Sequence, residues 1–151
     1  MKTQEKRSAI EKIVQKYPRR ESAIMPALYF MQGQNNNTLS EQDIKDVAEI
    51  LNISMSKTYG VATYYTMFNK APVGKYHLQV DTNISAMLMG AEEIVAYLQK
   101  TLGISVGQTT PDGMFTLSVV EDLGSGGTCP VIQVNDTYYE LMTLKKVDAL
   151  I

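Results

Sequence analysis

The sequence predicts an α+β chain in two parts. An N-terminal helical bundle over 1–72 is followed by an α/β domain over 73–151, with a four-stranded mixed sheet and flanking helices. Three observations carry this. Apolar residues recur at helical spacing through the first half. A turn-rich link, Ala71-Pro72-Val73-Gly74, then marks a change of period. Past it, alternation appears at Tyr76, Leu78 and Val80 and again at Phe115, Leu117 and Val119, with a long helical pattern between them.

In order, Ile10, Ile13, Val14 and Tyr17 mark a first helix that Pro18 stops. A second helix is expected over 20–32, with Ala23, Ile24, Ala27, Leu28 and Met31 inward; Pro26 bends it or places its start nearby. The run Gly33-Gln34-Asn35-Asn36-Asn37 is a loop by composition. Ser40, with Asp43 three residues on, reads as a capping box opening a third helix that Asn52 closes. Ser54 caps a fourth pattern over 55–68, whose aromatic and β-branched residues and Gly60 weaken its regularity.

After the link come a strand at 75–80, a helix over 87–102 closed by Gly103, and a turn-rich crossing at 107–113. A second strand at 115–120, a loop at 123–130 and a third strand at 131–134 follow. Asn135-Asp136 supplies a tight turn into a fourth strand at 137–140, and Thr143 caps a terminal helix over 144–150. The crossover between the first two strands is long enough to set them parallel, which gives a thioredoxin-like layout.

At 151 residues and 44% hydrophobic content the chain can bury a real core. A net charge of −2 excludes nucleic acid as a main partner, since phosphate binding needs a concentrated basic surface. The basic N-terminal stretch is interrupted by Glu5 and Glu11 and reads as a solvated helix face. No apolar run approaches the ~18–20 residues of a membrane span, and no signal-peptide core follows the start. One cysteine excludes an intrachain disulfide framework. The expected location is the cytoplasm, or the inner-membrane surface as part of a larger complex.

In this layout two loops, 81–86 and 122–130, leave the ends of neighbouring strands and face each other at one edge of the sheet. That is where α/β folds place ligands. The first of these loops nevertheless carries no cysteine, no histidine and no glycine-rich cradle.

The stretches RRESAIMPAL (19–28), VATYYTMFNKAPVGKYHLQV (61–80), GAEEI (90–94), TTPDG (109–113) and PVIQVND (130–136) resemble the thioredoxin-like [2Fe–2S] subunit of NADH:quinone oxidoreductase (complex I). The same subunit occurs in NAD-linked hydrogenases and formate dehydrogenases. The resemblance runs from about Glu11 to Ile151. It implies a helical bundle followed by a thioredoxin-like, ferredoxin-type domain. It also implies a cluster held by two cysteine pairs, spaced C-x4-C in the first loop and C-L-G-A-C in the second. Those positions fall on Asp81 and Ala86, and on Asp122 and Gly126. All four thiolates are absent, while Thr82-Asn83 and Leu123-Gly124 preserve their frames. Cys129 matches no ligand position.

A [2Fe–2S] centre needs four strong donors, thiolates or in part histidines. Ala86 and Gly126 have none, and carboxylates at Asp81 and Asp122 suit hard cations better than an iron–sulfur core. The expectation is therefore no cofactor and no bound metal, with a divalent cation between Asp81 and Asp122 as the sharper rival. The plainer reading has both aspartates solvated or capping adjacent backbone. Ser85 and Ser125 are expected to point away from the ligand positions they precede. His77 reads as a packed or surface residue, and a lone Cys129 cannot perform dithiol exchange. The mixed replacements fit a natural lineage that lost its cluster better than a deliberate knockout.

The functional expectation is a non-catalytic, cluster-less homologue of this electron-transfer subunit. The resemblance implies docking on the flavoprotein subunit that binds FMN and oxidises NADH, with the cluster off the main electron path. The helical bundle and the apolar edge at Tyr64–Phe68 are expected to hold that partner. Rival readings are a free-standing regulatory or divalent-metal module, or a subunit of a hydrogenase or formate dehydrogenase.

Overall fold

The structure is a computed structural model that describes residues 3–151. The chain divides into two compact units, Met1–Pro72 and Val73–Ile151.

The first unit is helical: α1 (Thr3–Val14), a 3-10 turn (Arg20–Ala23), α2 (Ile24–Gln34), α3 (Glu41–Leu51) and α4 (Met55–Tyr64). Pro26 is the third residue of α2, where its missing N–H removes no intrahelical bond. It therefore starts the helix instead of bending it, and the preceding residues tighten into the 3-10 turn. α3 is the best-specified element. Ser40 Oγ accepts from the Asp43 amide while Asp43 accepts from the Ser40 amide, and Asn52 ends the helix in the left-handed region at φ 53°. Arg20 caps its other end, donating to the Leu51 and Ile50 carbonyls at 3.1 and 2.7 Å.

α4 stops at Tyr64, short of the expected 68, because Tyr65 is extended at φ −89°, ψ 122°. Thr63 Oγ1 also donates back to the Tyr59 and Gly60 carbonyls, a bond that loosens the last turn. Phe68 then folds into the bundle core with Ile10, Leu28, Met31, Leu39, Ile44 and Val47. It is not part of an exposed edge, a correction to the expectation for 64–68; Tyr64 remains 79% exposed. Gln32 ties the segment after α4 to α2, donating to the Met67 carbonyl and accepting from the Asn69 amide.

The second unit contains β1 (Tyr76–Asp81), α5 (Ile84–Leu88), α6 (Ala91–Leu102), β2 (Phe115–Val120), a 3-10 turn (Gly126–Thr128), β3 (Ile132–Val134), β4 (Thr137–Tyr139) and α7 (Leu144–Asp148). The sheet order is β2-β1-β3-β4, with β1–β2 parallel and the other two pairs antiparallel. This is the α+β, thioredoxin-like fold. Alternate strand residues Leu78, Val80, Leu117 and Ile132 meet Ile94 and Leu98 of α6 and Val147 of α7 in one core. Gly74 enters the sheet where a Cβ would lie 3.0 Å from the Met114 carbonyl, so only glycine lets the two backbones come this close.

The single helix expected over 87–102 is two. Gly90 adopts φ 94°, which breaks the helical ladder and starts α6 afresh; Gly103 closes α6 at φ 66°. Asn135 makes the β3–β4 turn at φ 53°. No helix among the described residues is long and apolar enough to cross a membrane.

Candidate functional site

The parallel register pairs Asp81 with Val120, so β1 and β2 end at the same edge of the sheet. Both loops start there. The first is anchored by the Thr82 amide donating to the Val120 carbonyl at 2.9 Å, and the Asp81 amide donates to Val131 at 3.1 Å.

Asp81 is fully buried. Its Oδ1 accepts from the Asn83 amide at 2.9 Å, and its Oδ2 accepts from the Leu123 amide at 3.1 Å, in the opposite loop. A carboxylate removed from water needs such donors. Asp122 is exposed and accepts from the Gly124 amide at 2.8 Å, closing a tight turn in which Gly124 takes φ 74°. The partners of both aspartates here are neutral N–H groups.

Asn83 joins the pieces. Its Oδ1 caps α5 by accepting from the Ala86 amide at 2.8 Å. Its Nδ2 donates to Asp81 Oδ2 at 3.4 Å and to Asp122 Oδ1 at 3.3 Å. A Cβ at Gly126 would lie 3.9 Å from the same nitrogen. One amide side chain thus touches Asp81, Ala86, Asp122 and the space beside Gly126, so the fold brings all four positions together around it. Sequence reasoning passed over Asn83 as part of a preserved frame. An Asn two residues after a strand-ending Asp and three before a helical residue is the signal that could have found it.

Ala86 is buried in a small cluster with Ala91 and Cys129. The Cys129 thiol donates to the Ser125 carbonyl at 3.7 Å, and burial raises its pKa, with the charges of Asp81 and Asp122 adding to the effect. Ser125 Oγ is engaged by Thr128 Oγ1 and Glu140 Oε1 at 2.7 and 2.8 Å. The hydrogen bonds from Thr128 and Ser125 hold the Glu140 carboxyl below its ordinary value. Ser85, the second residue of α5, has its Oγ 4.0 Å from where a Gly126 Cβ would stand, on the side of the second loop. His77 is buried within β1 and pairs through Nε2 with Ser118 Oγ at 2.8 Å; burial lowers its pKa.

The donors do not fit a [2Fe–2S] centre. Two of the four positions offer no donor atom, and the carboxylate at a third is spent on backbone and amide N–H groups. Among the described residues no three His, Cys, Asp or Glu side chains gather closely enough to hold a metal ion.

A shallow recess of about 350 Å³ lies beside the site, with walls from Ser85, Leu88 and Met89 on one side and Gly126, Cys129 and Leu141 on the other. Its α5 side is apolar and open: Leu88 and Met89 are 76% and 62% exposed. Leu141 presents its side chain from φ 50°, a conformation a leucine adopts only under constraint.

Comparison with known proteins agrees with this fold. A solved NAD+-reducing [NiFe]-hydrogenase (air-oxidized state) shares the fold at TM-score 0.68 over 82% of this chain, with 18% identity, and this chain spans 21% of that one. A subunit of the NADH-quinone oxidoreductase of Rhizobium meliloti is 44% identical over 145 residues, 96% of this chain and 86% of the relative. A subunit of the NADH-quinone oxidoreductase of Thermus thermophilus is 42% identical over 150 residues, 97% of this chain and 82% of the relative. The family model described as thioredoxin-like [2Fe-2S] ferredoxin matches residues 10–151. Sheet order, the two facing loops and near full-length similarity converge: this chain belongs to the thioredoxin-like [2Fe-2S] ferredoxin family.

Proposed function

We propose that this chain is a cluster-less, non-catalytic counterpart of the electron-transfer subunit of an NADH:quinone oxidoreductase-type complex, retained for assembly. The observation that carries the reading is the donor set. By the family resemblance Asp81, Ala86, Asp122 and Gly126 fall on the four thiolate positions, and the buried Asp81 carboxylate is consumed by hydrogen bonds within the two loops. The relatives at 42–44% identity, named as subunits of NADH-quinone oxidoreductase, support this host over a hydrogenase, whose 18% identity speaks only for the fold. The partner in this reading is the FMN- and NADH-binding flavoprotein subunit. Exposed apolar residues suited to contact it are Tyr64, Tyr65 and Met67 in the first unit and Ile84, Leu88 and Met89 in the second. Association would place the chain peripherally at the membrane.

The test is metal and sulfide analysis of the protein purified anaerobically, with visible absorbance and EPR after reduction, alongside affinity purification from the native host. The expected result is a colourless, EPR-silent protein free of iron and sulfide that brings down the flavoprotein. Stoichiometric iron and sulfide would overturn the cluster-less assignment. Recovery of the chain alone under mild conditions would overturn the assembly role. A divalent ion between Asp81 and Asp122 gains no support from the geometry, since both carboxylates face N–H donors.

A further inference from the structure

We infer that Asp81 and Asn83 tie the two loops to each other, taking the mechanical place of an inorganic cross-link between them. The inference rests on the reading above that no cluster is bound.

Past Asp81 and Val120 the ladder between β1 and β2 ends, and the two loops diverge from the sheet. Two hydrogen bonds then join them, beside the packing of Ala86 in one buried cluster with Cys129. The Leu123 amide donates to Asp81 Oδ2 across 42 residues of sequence, and Asn83 Nδ2 donates to Asp122 Oδ1 across 39. The pairing of Asp81 with Val120 already closes the long stretch of chain between them, so each link has only the few loop residues past the strands to hold in place. Asp81 is suited to this because it is fully buried, where an N–H···carboxylate bond is strong and its loss leaves an unsatisfied donor. The two oxygens divide the work: Oδ1 takes the amide of its own loop, and Oδ2 takes the amide of the other.

Asn83 carries the second half of the tie. It sits at the N-cap of α5, a helix of five residues that is too short to persist on propensity alone. The same side chain that caps α5 also reaches Asp81 and Asp122. The position of α5 is therefore coupled to that of the second loop. The recess has Leu88 and Met89 on the α5 side and Leu141 on the other, and the Leu141 amide donates to Thr128 of the second loop at 2.8 Å. The tie thus sets the width of that recess.

The isosteric variant Asp81→Asn separates the tie from simple packing. An amide has one acceptor oxygen, so either the Asn83 or the Leu123 N–H must face an NH2 group. Hydrogen exchange resolved by residue should show at least one of the Leu123 and Asn83 amides exchanging at least about tenfold faster, with the Leu78 and Leu117 amides unchanged. Should that variant fail to fold, Asn83→Ser is the second arm. Serine still caps α5 but cannot reach Asp122. It should speed exchange at Leu123 and Gly124 while the amides of α5 hold. Exchange within twofold of wild type at these loop amides, in an iron-free protein, overturns the tie and leaves the cluster-less reading standing. Iron and sulfide in the wild-type protein overturn that reading first, whatever the variants do.

Discussion

A lone thiol beside two carboxylates invites a chemical role, and Cys129 is built against one. It is 4% exposed, its S–H is given to the Ser125 carbonyl, and burial with the nearby charges of Asp81 and Asp122 disfavours the thiolate. Iodoacetamide at pH 8 should therefore alkylate native Cys129 at least about tenfold more slowly than the urea-unfolded chain, read by intact mass. Equal rates would show an accessible, ionised sulfur. At this scale the sequence is uneven. The absence of thiolates at 81, 86, 122 and 126 is legible by inspection. The burial of Asp81 is not, because a carboxylate closing a strand looks the same in sequence whether water or backbone amides receive it. The role of Asn83 is hidden for a related reason: its contact with Asp122, 39 residues away, exists only once β1 and β2 set the loops side by side.

Elements with chemical punctuation were readable, and those set by geometry were not. Ser40, Asp43 and Asn52 mark both ends of α3, and the reciprocal capping bonds form as their spacing demands. Ser40 Oγ also donates to Asp43 Oδ2 at 2.6 Å, so the hydroxyl serves the cap twice. Ser40→Ala should lower stability by about 1–2 kcal/mol in urea denaturation, with an unchanged dependence on urea concentration. Ser40→Asn, which keeps a capping oxygen, should recover most of that loss. The continuous apolar pattern from Ile84 to Leu102 concealed the break at Gly90, since nothing in periodicity reports that a glycine has gone left-handed. The end of α4 was hidden for the opposite reason. Aromatic residues continue past it, but Phe68 belongs to the tail that packs back on the bundle, not to the helix.

Across the whole molecule, acid sensitivity has one contribution from a buried group in each unit, His77 and Asp43. His77 is held below its ordinary value of 6.5 by burial, so as pH falls past 6.5 the unfolded chain binds a proton that the folded chain refuses, and stability declines. Burial pushes Asp43 up, but hydrogen bonds from Ser40 and the Lys6 ammonium outweigh it and hold the carboxyl below 3.8. Its contribution is full above 3.8 and is lost as pH falls through the lower, folded value. Urea midpoints measured from pH 8 to pH 3 should therefore be level above about 7, fall below about 6.5 and fall more steeply under about 4. His77→Gln, which has no proton to gain, should flatten the decline that sets in below about 6.5. The mixed sheet with its parallel first pair was legible from the length of the crossover, whereas the strand order β2-β1-β3-β4 depends on long-range pairing that no local pattern encodes. The engagement of Asp81 by both loops also bears on the chain's history. If the cross-loop tie and the cluster-less reading hold, returning Asp81 to a thiol would surrender the contacts to Asn83 and Leu123 and gain nothing until three more positions changed with it. In that reading the step at Asp81 costs stability with no redox reward, so this carboxylate acts as a ratchet against reversion.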